Sequence, residues 1–269
     1  MIIEIFEYSF IIKALIAGIL LSLCCSLLGN VLVLKRYAMI GDGLSHVGFG
    51  ALAVAAAFNF APLFIAVPIV IVAAFFLIAL NKKEKLNGDA LTALISASSL
   101  AIGVIIISVT KKGNAEISSY LFGNILALSD FELYTSIILS VIVTLIFVFL
   151  YVRIFAVTFD ETFAFSVGAN PSVYNGIIAV LTAVTVVLGM KLMGSLLISA
   201  LIIFPTLSAM CVFKSYKKLT VFTPAISVSC FVIGFIMSYL FELPTGAGIV
   251  VTNLIYFIMF NLIGKLIKS

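Results

Sequence analysis

The sequence predicts an all-α integral membrane protein, a bundle of about eight to nine transmembrane helices with a short cytoplasmic helix between two of them. Hydrophobic residues make up 64% of the 269-residue chain and charged residues only 10%. Soluble globular domains are nearer half apolar and a quarter charged. The apolar residues also fall into long stretches, each sufficient to cross ~30 Å of hydrocarbon as a helix. The composition therefore excludes both a soluble domain and a disordered chain.

Windows of about 20 apolar residues predict the individual spans. The nine candidates are residues 10–34, 37–58, 60–80, 90–110, 130–152, 172–190, 194–212, 221–241 and 247–264. Two very short connections leave a count of eight open, with one segment broken or re-entrant. No connection is long enough to hold a soluble domain, so we expect one membrane domain over residues 1–269. The acidic N-terminus lacks the features of a cleaved signal peptide, so we expect the first span to be retained.

Basic residues predict the orientation, because the cytoplasmic loops of membrane proteins are enriched in Lys and Arg. With alternating spans, one side of the membrane collects Lys35, Arg36, Lys82, Lys83, Lys85, Arg153, Lys214, Lys217, Lys218, Lys265 and Lys268. The other side collects only Lys111, Lys112 and Lys191. This bias predicts an outside N-terminus and a cytoplasmic C-terminus. It also accounts for the net charge of +4 without a nucleic-acid partner, and none is expected.

Polar residues inside the second span predict a binding site, because a charge within the bilayer costs a few kcal/mol. Starting from the basic pair Lys35 and Arg36 at the membrane surface, Asp42 lies roughly 9 Å and His46 roughly 15 Å further along the helix. Residues four apart share one helix face. A carboxylate and an imidazole on one face are half of a site for a divalent transition metal. We therefore predict Asp42 and the protein's one histidine, His46, as metal ligands.

A purely structural role for this pair stays open on the sequence alone. An internal hydrogen bond between Asp42 and His46 would fix a kink in the helix without binding anything. The neighbouring Gly41, Gly43 and Ser45 are small enough for another helix or a ligand to approach closely. We expect these three residues to form the packing around a pathway.

The connection after the fifth span predicts a short helix of about two turns on the cytoplasmic side. Thr158 and Glu161 have the spacing of a capping box, and Gly168 suits the position just beyond the helix end. Phe159 and Phe163 are four residues apart and would share one face. Such a face fits either a docking surface for a cytoplasmic partner or a helix resting on lipid headgroups.

Catalytic motifs are missing from the sequence. One histidine excludes the H-E-x-x-H pattern, and neither the G-x-S-x-G elbow nor a Walker-type phosphate loop occurs. We therefore expect no enzymatic activity, and any nucleotide-derived energy must come from another chain. The alternative to a transport subunit powered by another chain is a stand-alone secondary metal transporter or channel. It would be expected to carry coupling carboxylates in several spans, whereas only Asp42 is convincing.

Five segments in order along the chain resemble those of the permease subunits of bacterial zinc/manganese ABC importers, which are related to cobalamin and siderophore importer permeases. They are Met39–His46 (G-D-A-L-S-H-A), Ser119–Leu126 (L-F-G-x-I-L), Phe159–Gly168 (F-D-x-x-x-A-x-x-x-G), Gly194–Pro205 (G-x-L-L-V-x-A-L-L-I-x-P) and Ser238–Ala247 (S-Y-x-x-D-L-P-x-G-A). The resemblance covers nearly the whole chain. Departures such as Gly43 for alanine and Glu242 for aspartate leave Asp42 and His46 unaffected.

The resemblance implies a homodimer in the bacterial cell membrane, served by cytoplasmic ATP-binding subunits and an extracellular metal-binding protein. Phe159, Asp160, Phe163, Ala164 and Gly168 would then form the coupling helix that meets the ATPase. Two copies of Asp42 and His46 would supply four nitrogen and oxygen ligands. This set suits Zn(II), and with added waters Mn(II) or Fe(II). The metal would be cargo, so no permanently bound cofactor is expected. Membrane lipid is expected to surround the spans.

Overall fold

A computed structural model describes residues 9–81, 88–110, 123 and 129–268 of the chain. The regular elements in this part of the chain are all α-helices. They are α1 (Ser9–Leu34), α2 (Ala38–Ala57), α3 (Pro62–Asn81), α4 (Gly88–Val109), α5 (Asp130–Phe149), α6 (Tyr151–Phe159), α7 (Glu161–Ser166), α8 (Pro171–Met193), α9 (Ser195–Val212), α10 (Tyr216–Leu240) and α11 (Thr245–Lys268).

Nine of the helices described are long and apolar enough to cross a membrane, and α6 and α7 are the two short ones. The predicted fold class is therefore confirmed. The two short connections that left the count open are sharp turns between separate helices. Arg36 has a φ of 61° between α1 and α2, and Gly194 has a φ of 84° between α8 and α9. Both values lie in the left-handed region that interrupts a helix.

Helix α2 occupies the centre of the bundle. About 72% of its spanning window is buried, against 22% for α4 and 17% for α11, which lie at the outside. Its glycines permit close packing on three sides. Gly41 faces Ile202 of α9, Gly43 faces Thr92 of α4, and Gly48 faces Met190 of α8. A Cβ atom on Gly43 would come 2.6 Å from the Thr92 methyl group, so a larger residue would push α4 away.

Charged side chains near the bundle ends pair across helices. At one end Lys13 of α1 pairs with Asp130, and Lys191 Nζ of α8 lies 2.7 Å from Glu132 Oε1 of α5. At the opposite end of α1, Lys35 pairs with Glu161 of α7. These pairs agree with the alternation of sides read from the basic residues. Lys82, Lys83, Lys85, Lys111 and Lys112 lie outside the described residues.

The segment after α5 differs from the prediction in its details. The chain forms α6, then an extended residue, Asp160 (φ −150°, ψ 105°), and then the six-residue α7. The predicted capping box was wrong, because Thr158 donates to the Ile154 carbonyl inside α6 and Asp160 caps α7 instead. Since Asp160 separates the two helices, Phe159 and Phe163 do not share one continuous helix face.

Candidate functional site

The predicted ligands lie on the one stripe of α2 that the bundle leaves partly open. Between Met39 and Ala53 every residue of the helix is buried except Met39, Asp42 and His46. Their spacing of three and four residues places them on one face. The Asp42 side chain is 37% exposed and that of His46 is 25% exposed.

This stripe lines a cavity of about 250 Å³ between α2 and α4. The α4 wall includes the polar side chains of Thr92 and Ser96. Gly43 also lines the cavity, whereas Gly41 faces α9. Ser45 is fully buried, and its hydroxyl donates to the Asp42 carbonyl oxygen at 2.7 Å. Of the three small residues singled out from the sequence, only Gly43 reaches the cavity.

Asp42 and His46 do not hydrogen-bond to each other. Their closest atoms, His46 Nε2 and Asp42 Oδ2, are 3.8 Å apart, which is too long for a hydrogen bond. The internal bond that would give the pair a purely structural role is therefore not formed. This separation leaves both atoms available to a third atom placed between them. The other ring nitrogen, Nδ1, is buried and has no hydrogen-bond partner among the described residues.

Ser199 of α9 is a site residue that the sequence reasoning did not single out. Its hydroxyl lies 2.8 Å from Asp42 Oδ1, so one carboxylate oxygen is held while Oδ2 points toward His46. The only sequence signal was its position inside the Gly194–Pro205 segment, where a serine in an apolar helix is easily taken for filler. Pairing it with Asp42, 157 positions away, required the fold.

The proposed coupling residues gather around α7. Asp160 Oδ1 accepts from the backbone N–H groups of Thr162 and Phe163 at 2.8 and 2.9 Å. The hydrogen bond from Phe163 N–H is the main reason why the pKa of Asp160 lies below its ordinary value, so the cap is charged at neutral pH. Ala164 is fully buried in a small core that includes Val157 and Tyr174.

Exposed aromatic side chains surround this anchor. Phe159 and Phe163 are 58% and 59% exposed, and the Phe159 ring also meets the ring of Tyr216 edge-on at 5.7 Å. Gly168, with a φ of 81°, ends the α7 turn. The arrangement presents apolar side chains on a short helix that is held from beneath.

One residue of the Ser119–Leu126 segment, Gly123, is described, and it contacts the turn before α9. Gly123 has a φ of 77°, and a Cβ atom there would lie 2.2 Å from the Met193 carbonyl carbon. This contact places Gly123 against the start of the helix that carries Ser199. The other residues of the segment lie outside the described part of the chain.

Comparison with known proteins decides the family. The model described as "ABC 3 transport family" matches residues 7–263. The chain belongs to this family. Its fold is similar to PsaBC from Streptococcus pneumoniae, solved in complex with Fab, with a TM-score of 0.86 and 25% identity over 97% of this chain and 95% of that one.

Two relatives of this ABC 3 family member carry names that include a metal. The manganese transport system membrane protein MntC of Listeria monocytogenes is 26% identical, covering 94% of this chain and 91% of its own length. A Haemophilus influenzae protein named "Probable iron transport system membrane protein" is 28% identical, covering 96% of this chain and 92% of its own length. Family and fold together make the chain a membrane-spanning permease subunit of an ABC transporter and not an enzyme, as the sequence predicted.

Proposed function

We propose that this permease belongs to an ATP-driven importer of a first-row divalent metal ion, with Asp42 and His46 as ligands on the translocation pathway. The stripe of α2 carries the proposal, because a carboxylate and an imidazole face one cavity from an otherwise buried helix. An ionisable pair inside a membrane helix needs a partner that offsets its desolvation. A divalent cation between Asp42 Oδ2 and His46 Nε2 satisfies both side chains at once.

In this proposal a second copy of the chain completes the ligand set. Among the described residues, no group of three or more His, Cys, Asp and Glu side chains comes together. The described part of one chain therefore offers two ligands, fewer than the four that Zn(II) sites use or the six typical of Mn(II). The partly open stripe would also face lipid in a single chain, at a cost that favours covering it. Two copies related by a two-fold axis would cover both stripes and join two carboxylates with two imidazoles.

The first cargo to test is Mn(II), with Fe(II) and Zn(II) as competitors. The names of the Listeria and Haemophilus relatives favour manganese and iron. The residue types alone favour zinc, because two imidazoles and two carboxylates suit a tetrahedral ion. The same donors also suit Mn(II) and Fe(II) once waters are added, so the ligand chemistry alone does not separate the three ions.

The remaining parts of the proposal concern partners and orientation. Membership of an ABC transport family supports cytoplasmic ATP-binding subunits docked on α7, and import supports an external metal-binding protein. The eleven basic residues gathered at one side support an orientation with the N-terminus outside and the C-terminus in the cytoplasm. The resemblance to bacterial importer permeases supports placement in a bacterial cell membrane.

Metal uptake by the complex reconstituted in proteoliposomes tests the proposal. We expect ATP-dependent Mn(II) uptake, and loss of that uptake in Asp42→Ala and His46→Ala, since each substitution removes two ligands from a dimer. Met39→Leu is the matched control, because Met39 lies on the same stripe without being a proposed ligand. Parental transport by His46→Ala would refute the site. Uptake that proceeds without ATP would favour the channel or secondary transporter instead.

A further inference from the structure

Three side chains from three separate elements form a closed polar triangle at one end of the bundle. Lys35 Nζ, at the end of α1, lies 3.0 Å from Glu161 Oε1 of α7 and 2.6 Å from Asn175 Oδ1 of α8. Asn175 Nδ2 donates to the same Glu161 oxygen at 2.8 Å. The Lys35 side chain is 7% exposed and that of Glu161 is 39% exposed. The lysine is therefore enclosed, while the carboxylate lies at the rim.

The lysine is joined to the start of α2 by a short and tightly hydrogen-bonded turn. Tyr37 N–H donates to the Leu32 carbonyl at 2.7 Å, and Ile40 N–H donates to the Tyr37 carbonyl at 2.9 Å. Asp42 lies in the second turn of α2. A displacement of Lys35 therefore moves the beginning of the helix that carries the proposed ligands.

Glu161 is also close to this turn. Burial and, secondly, the negative charge of Glu161 raise the pKa of the Tyr37 hydroxyl. Glu161 is the first residue of α7, directly after its cap Asp160. The carboxylate is thus fixed to the helix that we propose as the docking point for the ATPase, and it reaches the turn between α1 and α2.

We propose that Lys35 and Glu161 are positioning residues for transport, and that their ion pair, held by Asn175, transmits displacement of α7 to the start of α2. This inference rests on the proposed function and adds to it the contact by which the docking helix acts on the ion site. Two elements joined through a charge pair that is enclosed at its lysine end tend to move together, since separating the charges loses attraction that offsets the desolvation of the lysine.

The structure makes the two residues unequal, which sharpens the test. Glu161→Gln removes a counter-charge from an enclosed ammonium group, whereas Lys35→Met leaves a carboxylate that water can reach. Glu161→Gln should therefore impair coupling more than Lys35→Met. If both act through their contact, the double variant should be no worse than Glu161→Gln within about twofold, because interacting residues are not additive.

The experiment measures Mn(II) uptake and ATP hydrolysis together, in proteoliposomes that contain the complete complex. We expect Glu161→Gln to co-purify with its ATPase and to hydrolyse ATP, while Mn(II) taken up per ATP falls at least tenfold. Asp130→Asn is the matched control, because it breaks the exposed pair with Lys13 at the opposite end of the bundle and should leave the ratio unchanged. An unchanged ratio in Glu161→Gln, or single effects that multiply in the double variant, would overturn the linkage.

A second readout does not depend on the metal. Met39→Cys, in a Cys211→Ser background, reports the accessibility of the α2 stripe to a maleimide, since the other three cysteines are buried. ATP should change the labelling rate of the Met39→Cys protein. It should not change the rate of the same protein that also carries Glu161→Gln. A rate change that survives Glu161→Gln would refute the linkage alone. Parental complexes that respond to ATP but take up no metal would refute the proposed function instead.

Discussion

Ser199 and Asp42 are joined by a hydrogen bond across two helices: the Ser199 hydroxyl lies 2.8 Å from Asp42 Oδ1. The same hydroxyl oxygen lies 3.2 Å from the Ser195 carbonyl oxygen, one turn earlier in α9. The hydroxyl is therefore held against its own helix. The bond engages one carboxylate oxygen and leaves Oδ2 toward His46. In effect α9 sets the direction in which α2 presents its carboxylate.

Ser199→Ala should therefore weaken metal transport without abolishing it. A hydrogen bond to a charged group contributes about 1.5–3 kcal/mol, so we expect the Mn(II) concentration for half-maximal uptake to rise about tenfold or more. Ser199→Thr keeps the hydroxyl and should stay near the parental value. Ser227→Ala removes a buried serine hydroxyl that bonds the Ser22 carbonyl instead, and it controls for the loss of any serine in the bundle. Equal effects of Ser199→Ala and Ser227→Ala would mean that the Asp42 contact is irrelevant to transport.

A charged residue at Phe163 should disrupt docking of the ATP-binding subunit. The side chain is 59% exposed on α7, while Ala164 beside it anchors the helix from beneath. Phe163→Glu should therefore leave membrane insertion intact and lower both ATPase co-purification and uptake at least tenfold. Phe163→Leu keeps an apolar surface and serves as the control. Normal co-purification of Phe163→Glu would favour a helix that rests on lipid headgroups.

The spans were predictable because length and apolarity alone decide whether a helix can cross the bilayer. The first span was expected over 10–34 and is found at Phe10–Leu34. Errors occur where the helix continues beyond the hydrocarbon. Helix α10 was expected from 221 but begins at Tyr216, because its first turn carries Lys217 and Lys218, which a hydropathy window leaves out.

Local capping and long-range pairing were less accessible to sequence reasoning. Thr158 and Glu161 had the right spacing for a capping box, yet the helix begins after Asp160, which accepts from the N–H groups of Thr162 and Phe163. Glu161 instead pairs with Lys35, 126 positions away. No periodicity in the sequence predicts such a contact. The same holds for Ser199 and Asp42, whose proximity depends on how α9 packs against α2.

Two glycines with positive φ should respond differently to substitution. A Cβ atom added at Gly168 (φ 81°) would meet no other atom within 4 Å, so only the backbone conformation opposes a side chain there. Gly168→Ala should lower the free energy of unfolding by about 1–2 kcal/mol, and Gly168→Asn by less, because Asn adopts this region more readily. At Gly123 (φ 77°) the Met193 backbone blocks any Cβ, so Asn should be no better than Ala. Thermal unfolding in detergent compares the four variants, and a Gly123→Asn protein as stable as the parent would contradict the contact with Met193.

The last prediction concerns the orientation, which the basic residues imply and which two exposed positions can test. Helix α10 separates Lys214, before its first residue, from Glu242, after its last. Its 25 residues span roughly 37 Å, so the two side chains emerge at opposite membrane faces. Both are exposed, and Cys24, Cys25 and Cys230 are buried, so an introduced cysteine stands out against a weak background.

A membrane-impermeant maleimide applied to intact cells should label Glu242→Cys and leave Lys214→Cys unmodified until the cells are permeabilised. The physical reason is the retention of Lys and Arg on the cytoplasmic side during insertion, and Lys214, Lys217 and Lys218 belong to the basic side. The protein without an added cysteine measures the background from Cys211, which is only partly buried. If only Lys214→Cys is labelled in intact cells, the orientation is the opposite of the predicted one. Helix α7 would then lie outside, where no ATP-binding subunit could reach Phe163.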